Sequence, residues 1–348
     1  MSEGRGSLSP LIFRKGVLDM TSVTNGLGTQ RPLNRKKGGF FSTLGKQWQL
    51  MLMSVPMLLY VLLFNYAPMW GWVNAFKDIS KERGTLQPFL DGTGAASYGF
   101  KNFTDLFDPL SQPTFVSSIR NTIAMSIINL VFGTVSAIIL ALLLNEVRNK
   151  AFKRTVQTVT YLPHFLSMVI VVGIAKIIFS NDGVITELLH GMGFAPRSVD
   201  WLGTKQYFWW IVGVVNVWKE VGWGTIIYIS AMTGIDPSLY EAAAIDGAGR
   251  FQRILHVTLP GIKSTFIILL IMNIGHLLDT GFEIQYLLGP EIINEVRYTI
   301  DLYVLDYGTQ RTNIGLATAA GIFKSVIAVI LLTAANLIAR KLGEDSLM

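Results

Sequence analysis

Two groups of polar residues interrupt otherwise apolar stretches: Asn216, Lys219, Glu220 and Trp223, then Asn273, His276, Thr280 and Glu283. The second group steps by three, four and three residues, which places all four on one stripe of a continuous helix. The first group falls on roughly one side of its own helix. Amide, hydroxyl, imidazole, carboxylate and indole groups offer hydrogen bonds and a stacking face, so both stripes suit the walls of a path for a polar solute. The competing role is structural, with Lys219 or Glu220 pairing Asp279 or Glu283 to hold the helices together. Catalytic chemistry has little to work with. The chain has no cysteine, which removes thiol and disulfide chemistry. No pair among its four histidines has metal-ligand spacing, and His164 and His190 are expected to be structural. There is no GxxxxGK[ST] loop for nucleotide phosphates and no nucleophile–base signature, so no catalytic residue and no metal ligand is assigned.

The elements that position these residues are membrane helices. Hydrophobic residues make up 51% of the 348 and charged residues 15%, with mean hydropathy +0.44, against about a quarter charged in soluble chains. A hydrocarbon core roughly 30 Å thick needs about 20 apolar residues of helix. Six stretches qualify: Trp48–Ala75, Ile119–Val147, Thr158–Ser180, Phe208–Met232, Thr265–Leu288 and Ile314–Ala339. The first begins too late for a cleaved secretory signal. Basic residues concentrate in four segments: the N-terminal tail (Arg31, Arg35, Lys36, Lys37, Lys46), the loop after the second span (Arg148, Lys150, Lys153, Arg154), the loop after the fourth (Arg250, Arg253, Lys263) and the C-terminus (Arg340, Lys341). With six spans these segments share one side, which the positive-inside bias makes cytoplasmic. The net charge of +6 follows from that bias and calls for no nucleic acid. Residues 1–45 form a basic tail whose composition predicts disorder. Residues 46–118 hold the first span and a long external loop, residues 119–340 a single all-α helix bundle, and residues 341–348 a cytoplasmic tail. Small residues at Gly315 and Ala319, and at Ala317 and Gly321, give the last span a face for close helix packing in lipid.

The loop after the fourth span, residues 236–260, is the most distinctive sequence in the chain. Asp236 is placed to cap a short helix, Pro237 occupies its first position, and Glu241 lies early enough to suit the helix dipole. Tyr240 precedes it. Ala242, Ala243 and Ala244 continue the helix with little bulk. Asp246, Gly247, Ala248 and Gly249 then permit a sharp reversal, and an amphipathic run ends at Leu259-Pro260. The expected product is a short, stiff cytoplasmic helix that fits a groove on a partner and passes motion to the flanking spans.

Glu241-Ala242-Ala243, Gly247 and Leu259-Pro260 resemble the EAA loop of permease subunits of binding-protein-dependent ABC importers. The resemblance covers about residues 48–340 and is nearest to maltose-type (type I) sugar permeases, among them those serving oligosaccharides and alginate- or pectin-derived fragments. Further pieces carry it: Gly99-Phe100-Lys101-Asn102-Phe103, Tyr161-Leu162-Pro163-His164-Phe165 and Gly281-Phe282-Glu283. Ser264 stands where the family often has a second proline, and Ile284-Gln285 depart from the usual residues after Glu283. The resemblance implies a transporter subunit and not an enzyme. It implies a coupling helix that docks on an ATP-hydrolysing subunit through Tyr240, Glu241, Ala242, Ala243, Asp246, Gly247, Ala248, Leu259 and Pro260. ATP and magnesium would then sit on that partner, with no cofactor on this chain. A second homologous permease, an ATP-binding dimer and an extracellular or periplasmic solute-binding protein complete the implied assembly.

Two other classes compete. A self-sufficient secondary transporter explains six spans and intramembrane charges, but it has no use for the loop at 236–260, and no inverted repeat is evident. A membrane enzyme using His and Glu finds no supporting spacing. Co-purification of an ATPase and a second permease separates these readings.

Overall fold

The computed structural model describes residues 48–77, 99–109, 113–194, 196, 198–311 and 313–343. The expectations for residues 1–45, for most of the first external loop and for the last residues of the C-terminal tail lie outside the described residues. The expectation of an all-α protein holds, with no strand among the described residues. The chain divides into two compact units, Met1–Ala67 and Pro68–Met348. In the first, helix α1 (Trp48–Val61) leads into the wider-wound turn Leu62–Tyr66, and no side chain of α1 is buried. The apolar helical run Trp48–Phe76 has the length and composition to cross a membrane.

In the second unit a short helix, α2 (Lys101–Leu106), explains the Gly-Phe-x-Asn-Phe element. Asn102 is buried and donates from Nδ2 to the carbonyls of Ala75 and Lys77 at 2.9 and 2.8 Å. Those carbonyls lie at the end of a helical segment, where acceptors need partners from outside the helix, and the amide supplies them. Phe76, Phe100 and Phe103 close around it with centroids 5.3–5.9 Å apart.

The frame of the bundle is the pair α3 (Pro113–Glu146) and α7 (Lys205–Thr233), which pack against each other over much of their length. Small residues allow the approach. A Cβ at Gly213 would lie 2.5 Å from the Ile128 side chain, and one at Gly224 3.2 Å from Ala137 Cβ. Between them the chain forms α4 (Lys150–Tyr161), α5 (Met168–Ile178) and α6 (Val184–Gly191). The third span expected at Thr158–Ser180 is not straight. It breaks at Leu166–Ser167, and the two arms meet at 107°. Pro163 sits in a tight turn, Leu166 is extended, and the Ser167 hydroxyl caps α5 by accepting from the Ile170 N–H at 3.5 Å.

After α7 come α8 (Pro237–Ile245), the segment Arg250–Gly261, α9 (Lys263–Gly275), α10 (Glu283–Leu288), α11 (Ile300–Leu305) and α12 (Ile314–Lys341). The fifth span, expected as one helix over Thr265–Leu288, is overturned. Its helix stops at Gly275, the chain turns through residues 276–282, and Gly281 adopts φ +69°, a backbone conformation costly for any residue with a Cβ. Hydropathy alone does not see this, because Leu277, Leu278 and Phe282 keep a sliding average over the turn close to that of the flanking helices.

Three helical runs among the described residues are long and apolar enough to cross a membrane, Trp48–Phe76, Pro113–Glu146 and Ile314–Lys341, and the number rises to five if each of two bent pairs, Lys150–Phe165 with Met168–Ile178 and Arg250–Gly261 with Lys263–Gly275, is one broken span. Helix α7 is also 29 residues long, with Asn216, Lys219 and Glu220 lowering its hydropathy. Buried side chains gather in three clusters around Phe208 and Val212, around Phe115 and Tyr303, and around Ala137 and Tyr228. Many large apolar side chains elsewhere are exposed, such as Val131, Ile139 and Leu143 of α3 and Val329 and Ile330 of α12. That is the surface expected of helices whose solvent is lipid or a neighbouring chain.

Candidate functional site

Two regions carry candidate function. The first is α8 and its flanks. Asp236 caps the helix, its Oδ1 accepting from the Ser238 N–H at 2.9 Å, with Pro237 at the first position. That bond holds the Asp236 carboxyl below the usual carboxylate range. At the other end, the Ala248 N–H donates to Ala243 O at 2.9 Å and the Gly247 N–H to Ala244 O at 3.1 Å, with Gly247 at φ +81°. This crossed pair is the Schellman arrangement, which needs a left-handed residue at Gly247. No side chain of α8 is buried. Glu241 and Asp246 face solvent, and Ile245 and Phe251 are 87% and 80% exposed. The helix is tied back at one point, the Tyr240 hydroxyl lying 3.0 Å from the hydroxyl of buried Thr258. Leu259 and Pro260 follow in the next turn, and a Cβ at Gly261 would lie 2.6 Å from Ile235. A rigid, exposed helix is thus braced against the roots of α7 and α9.

The second region is a cavity of about 450 Å³ between α3, α7, α9 and the turn after α9. Among its lining residues are Asn129, Glu220, Trp223, Asn273, His276 and Thr280. Five of the eight residues proposed from sequence therefore share one wall system. Asn216 stands beside it, its side-chain amide 3.5 Å from that of Asn129. Lys219 is buried behind it, donating to His164 O at 2.7 Å with its Nζ 3.2 Å from Glu220 Oε1. Glu283 is not in the lining: it opens α10 beyond the break. The single helical stripe Asn273–His276–Thr280–Glu283 does not exist, because the helix ends at Gly275; Asn273, His276 and Thr280 reach the cavity from a helix end and a turn.

The expected pairings of Lys219 or Glu220 with Asp279 or Glu283 are also replaced. Glu220 Oε2 lies 2.7 Å from His164 Nδ1, and the His164 ring stacks on Trp223 with centroids 4.6 Å apart and planes within 6°. His164 therefore backs the wall, holding the lining residues Glu220 and Trp223. Its turn, created by the 107° break between α4 and α5, projects it onto α7. Asp279 pairs instead with Lys324 Nζ at 2.7 Å and with His276 Nδ1 at 3.0 Å. Each charge facing the cavity is thus held by a partner, as a low-dielectric setting requires. What remains on offer is hydrogen-bonding capacity around one indole.

A family model described as the binding-protein-dependent transport system inner membrane component matches residues 130–344. The chain belongs to this family. This permease is 42% identical to the polygalacturonan/rhamnogalacturonan transport system permease protein YteP of Bacillus subtilis (strain 168) over 303 residues, 87% of this chain and 91% of the relative. Protein LplB of the same organism is likewise 42% identical, over 86% of this chain and 90% of its own length. Among solved structures, a chain of a bacterial alginate ABC transporter, crystallised with an alginate pentasaccharide-bound periplasmic protein, superposes with TM-score 0.78 at 35% identity. That match covers 88% of this permease and 99% of the other chain.

The permease is accordingly an inner-membrane transporter subunit and not an enzyme. Sequence reasoning missed His164, Asn129 and Lys324 as members of the wall or its support, and it gave Asp279 a different partner. One of them carried a signal: Lys324 lies inside the last apolar span, where a charge calls for a partner. His164 carried none, since only the break after Phe165 turns it toward α7.

Proposed function

We propose that this permease passes an oligosaccharide or polysaccharide fragment across the cytoplasmic membrane through the 450 Å³ cavity, driven by a separate ATPase that engages α8. The observation that carries this reading is the wall itself: Trp223 and Tyr228, Asn129, Asn273, Thr280, His276 and Glu220 converge on one space, and the ionic members already have partners. Such a wall pairs with hydroxyls and stacks on pyranose faces. The named substrates of the relatives, polygalacturonan, rhamnogalacturonan and alginate, support a polysaccharide-derived cargo. The exposed, doubly capped α8 supports the coupling role, with Tyr240, Glu241, Ala242, Ala243, Asp246, Gly247 and Ala248 as the docking face and Leu259 and Pro260 as its root. In this reading ATP and magnesium bind the partner. A second permease completes the cavity, a solute-binding protein delivers the cargo from outside, and both termini and α8 face the cytoplasm. The test is co-purification followed by uptake. The permease, expressed with its neighbouring genes, should bring down an ATPase and a second permease. Proteoliposomes with the binding protein should accumulate labelled oligogalacturonates or neutral oligosaccharides only when ATP is supplied. ATP-independent uptake by the permease alone would contradict it.

A further inference from the structure

Asp279 lies on a partition. One side of it lines the cavity described above; the other lines a second space of about 470 Å³ bounded by Gly281, Phe282, Asp301, Val304, Leu305 and Lys324. Lys324 rises behind the partition from α12, its side chain 17% exposed, and bonds both Asp279 Oδ1, at 2.7 Å, and Asp301 Oδ1. Asp301 is just as withdrawn, and its other oxygen is buried without a partner among the described residues. Asp279 in turn carries His276, a cavity-lining residue, on its second oxygen.

The backbone does little to fix this stretch. Between Gly275 and Phe282 its bonds are local, such as Leu277 N–H to Ile274 O and Asp279 N–H to His276 O. Gly281 at φ +69° leaves the far end open to other conformations. Charge supplies what the backbone lacks. A lysine inside a membrane span is costly unless paired, and breaking a buried pair by removing one member costs far more than the pair contributes. Lys324 has two carboxylates within reach, the withdrawn Asp301 and the half-exposed Asp279, and only a turn that keeps Asp279 beside it satisfies both bonds.

We propose that Lys324 is a positioning residue for transport: through Asp279 it holds the turn His276–Gly281 as a wall of the solute cavity, so that delivered solute is carried on when the ATPase turns over. This rests on the cavity being the solute path. Loss of the lock leaves ATP hydrolysis running while solute slips.

The measurement is solute moved per ATP hydrolysed in proteoliposomes of the full complex with its binding protein, using whichever labelled oligogalacturonate or neutral oligosaccharide the wild type accumulates. Lys324→Met and Asp279→Asn should lower this ratio about fivefold or more, the low end of coupling between linked groups, with stimulated ATPase within about twofold of wild type. Lys324→Arg should restore most of it. If Lys324→Met fails to assemble, Asp279→Asn decides, because it is isosteric and leaves the Lys324–Asp301 pair in place. A wild-type ratio in Asp279→Asn, or transport and ATPase falling together in proportion, would overturn the proposal. Trp223→Ala separates the two ideas. A fall in the ratio for Trp223→Ala with none for Asp279→Asn defeats Lys324 alone, whereas no fall for Trp223→Ala defeats the cavity as the path and this inference with it.

Discussion

The helix α8 and the wall of the cavity are built in opposite ways. Everything that shapes α8 lies within a dozen residues: Asp236 caps one end, Pro237 sets the first turn, alanines fill the middle, and Gly247 closes the other end at φ +81°. The wall is assembled from α3, α7, α9 and two breaks, and its decisive contacts join residues far apart in sequence, His164 with Glu220 and Asp279 with Lys324. A local device can be altered without disturbing the fold. A non-local one fails when any of its supports moves.

The comparison is broken most severely at Gly222. A Cβ there would fall 2.1 Å from the Thr160 carbonyl oxygen, a backbone atom at the end of α4 that cannot step aside. Gly222→Val should therefore displace the arm that carries His164, costing about 1–3 kcal/mol as overpacking does and losing most assembled complex on size-exclusion chromatography. Gly224→Ala, whose Cβ would lie 3.2 Å from Ala137 Cβ, needs a shift of only a few tenths of an ångström between α3 and α7 and should assemble far better. Equal yields from the two would show that the wall does not depend on that approach.

The next effect is on coupling. Gly247→Pro cannot adopt φ +81° and removes the N–H that bonds Ala244, while Glu241→Lys inverts the exposed charge near the start of α8. Both should leave the protein in the membrane and abolish most ATP-driven uptake, read as uptake per milligram of membrane-inserted protein. A smaller loss is expected from Glu220→Gln, which keeps the shape but weakens the His164 contact while Lys219 retains His164 O; uptake should fall several-fold with inserted protein unchanged.

The smallest effect belongs to Asp236→Ala. The folded state holds this carboxyl below its usual range through the Ser238 N–H. Its contribution is therefore present above the unfolded carboxylate range and is lost as pH falls through the folded value. The difference in melting temperature between wild type and Asp236→Ala should be present at neutral pH and shrink in acid. A constant difference would place the role of Asp236 elsewhere.

These contrasts also explain what was legible. The α8 region could be read residue by residue, because caps, helix formers and a left-handed glycine act over a few positions. Three of the expected spans stand as long apolar helices, the third is bent, and the fifth ends early at Gly275. The cavity was only half visible: Glu220, Trp223, Asn273, His276 and Thr280 announced themselves as polar groups in apolar surroundings. The expected stripe failed at Glu283 because the helix ends at Gly275. The signal for that break is weak in sequence, since the turn is fixed by the distant Lys324. His164 looked isolated because, although Pro163 and the Ser167 cap mark the break locally, nothing local sets the 107° bend that brings it to Trp223.

The central claim, that solute passes the cavity while α8 transmits the drive, is tested most directly by measuring uptake and binding-protein-stimulated ATP hydrolysis together in proteoliposomes of Gly247→Pro and Trp223→Ala. The account predicts that Gly247→Pro loses both and that Trp223→Ala loses uptake while keeping hydrolysis. Uptake and hydrolysis falling in proportion in both variants, or full uptake in Trp223→Ala, would contradict it.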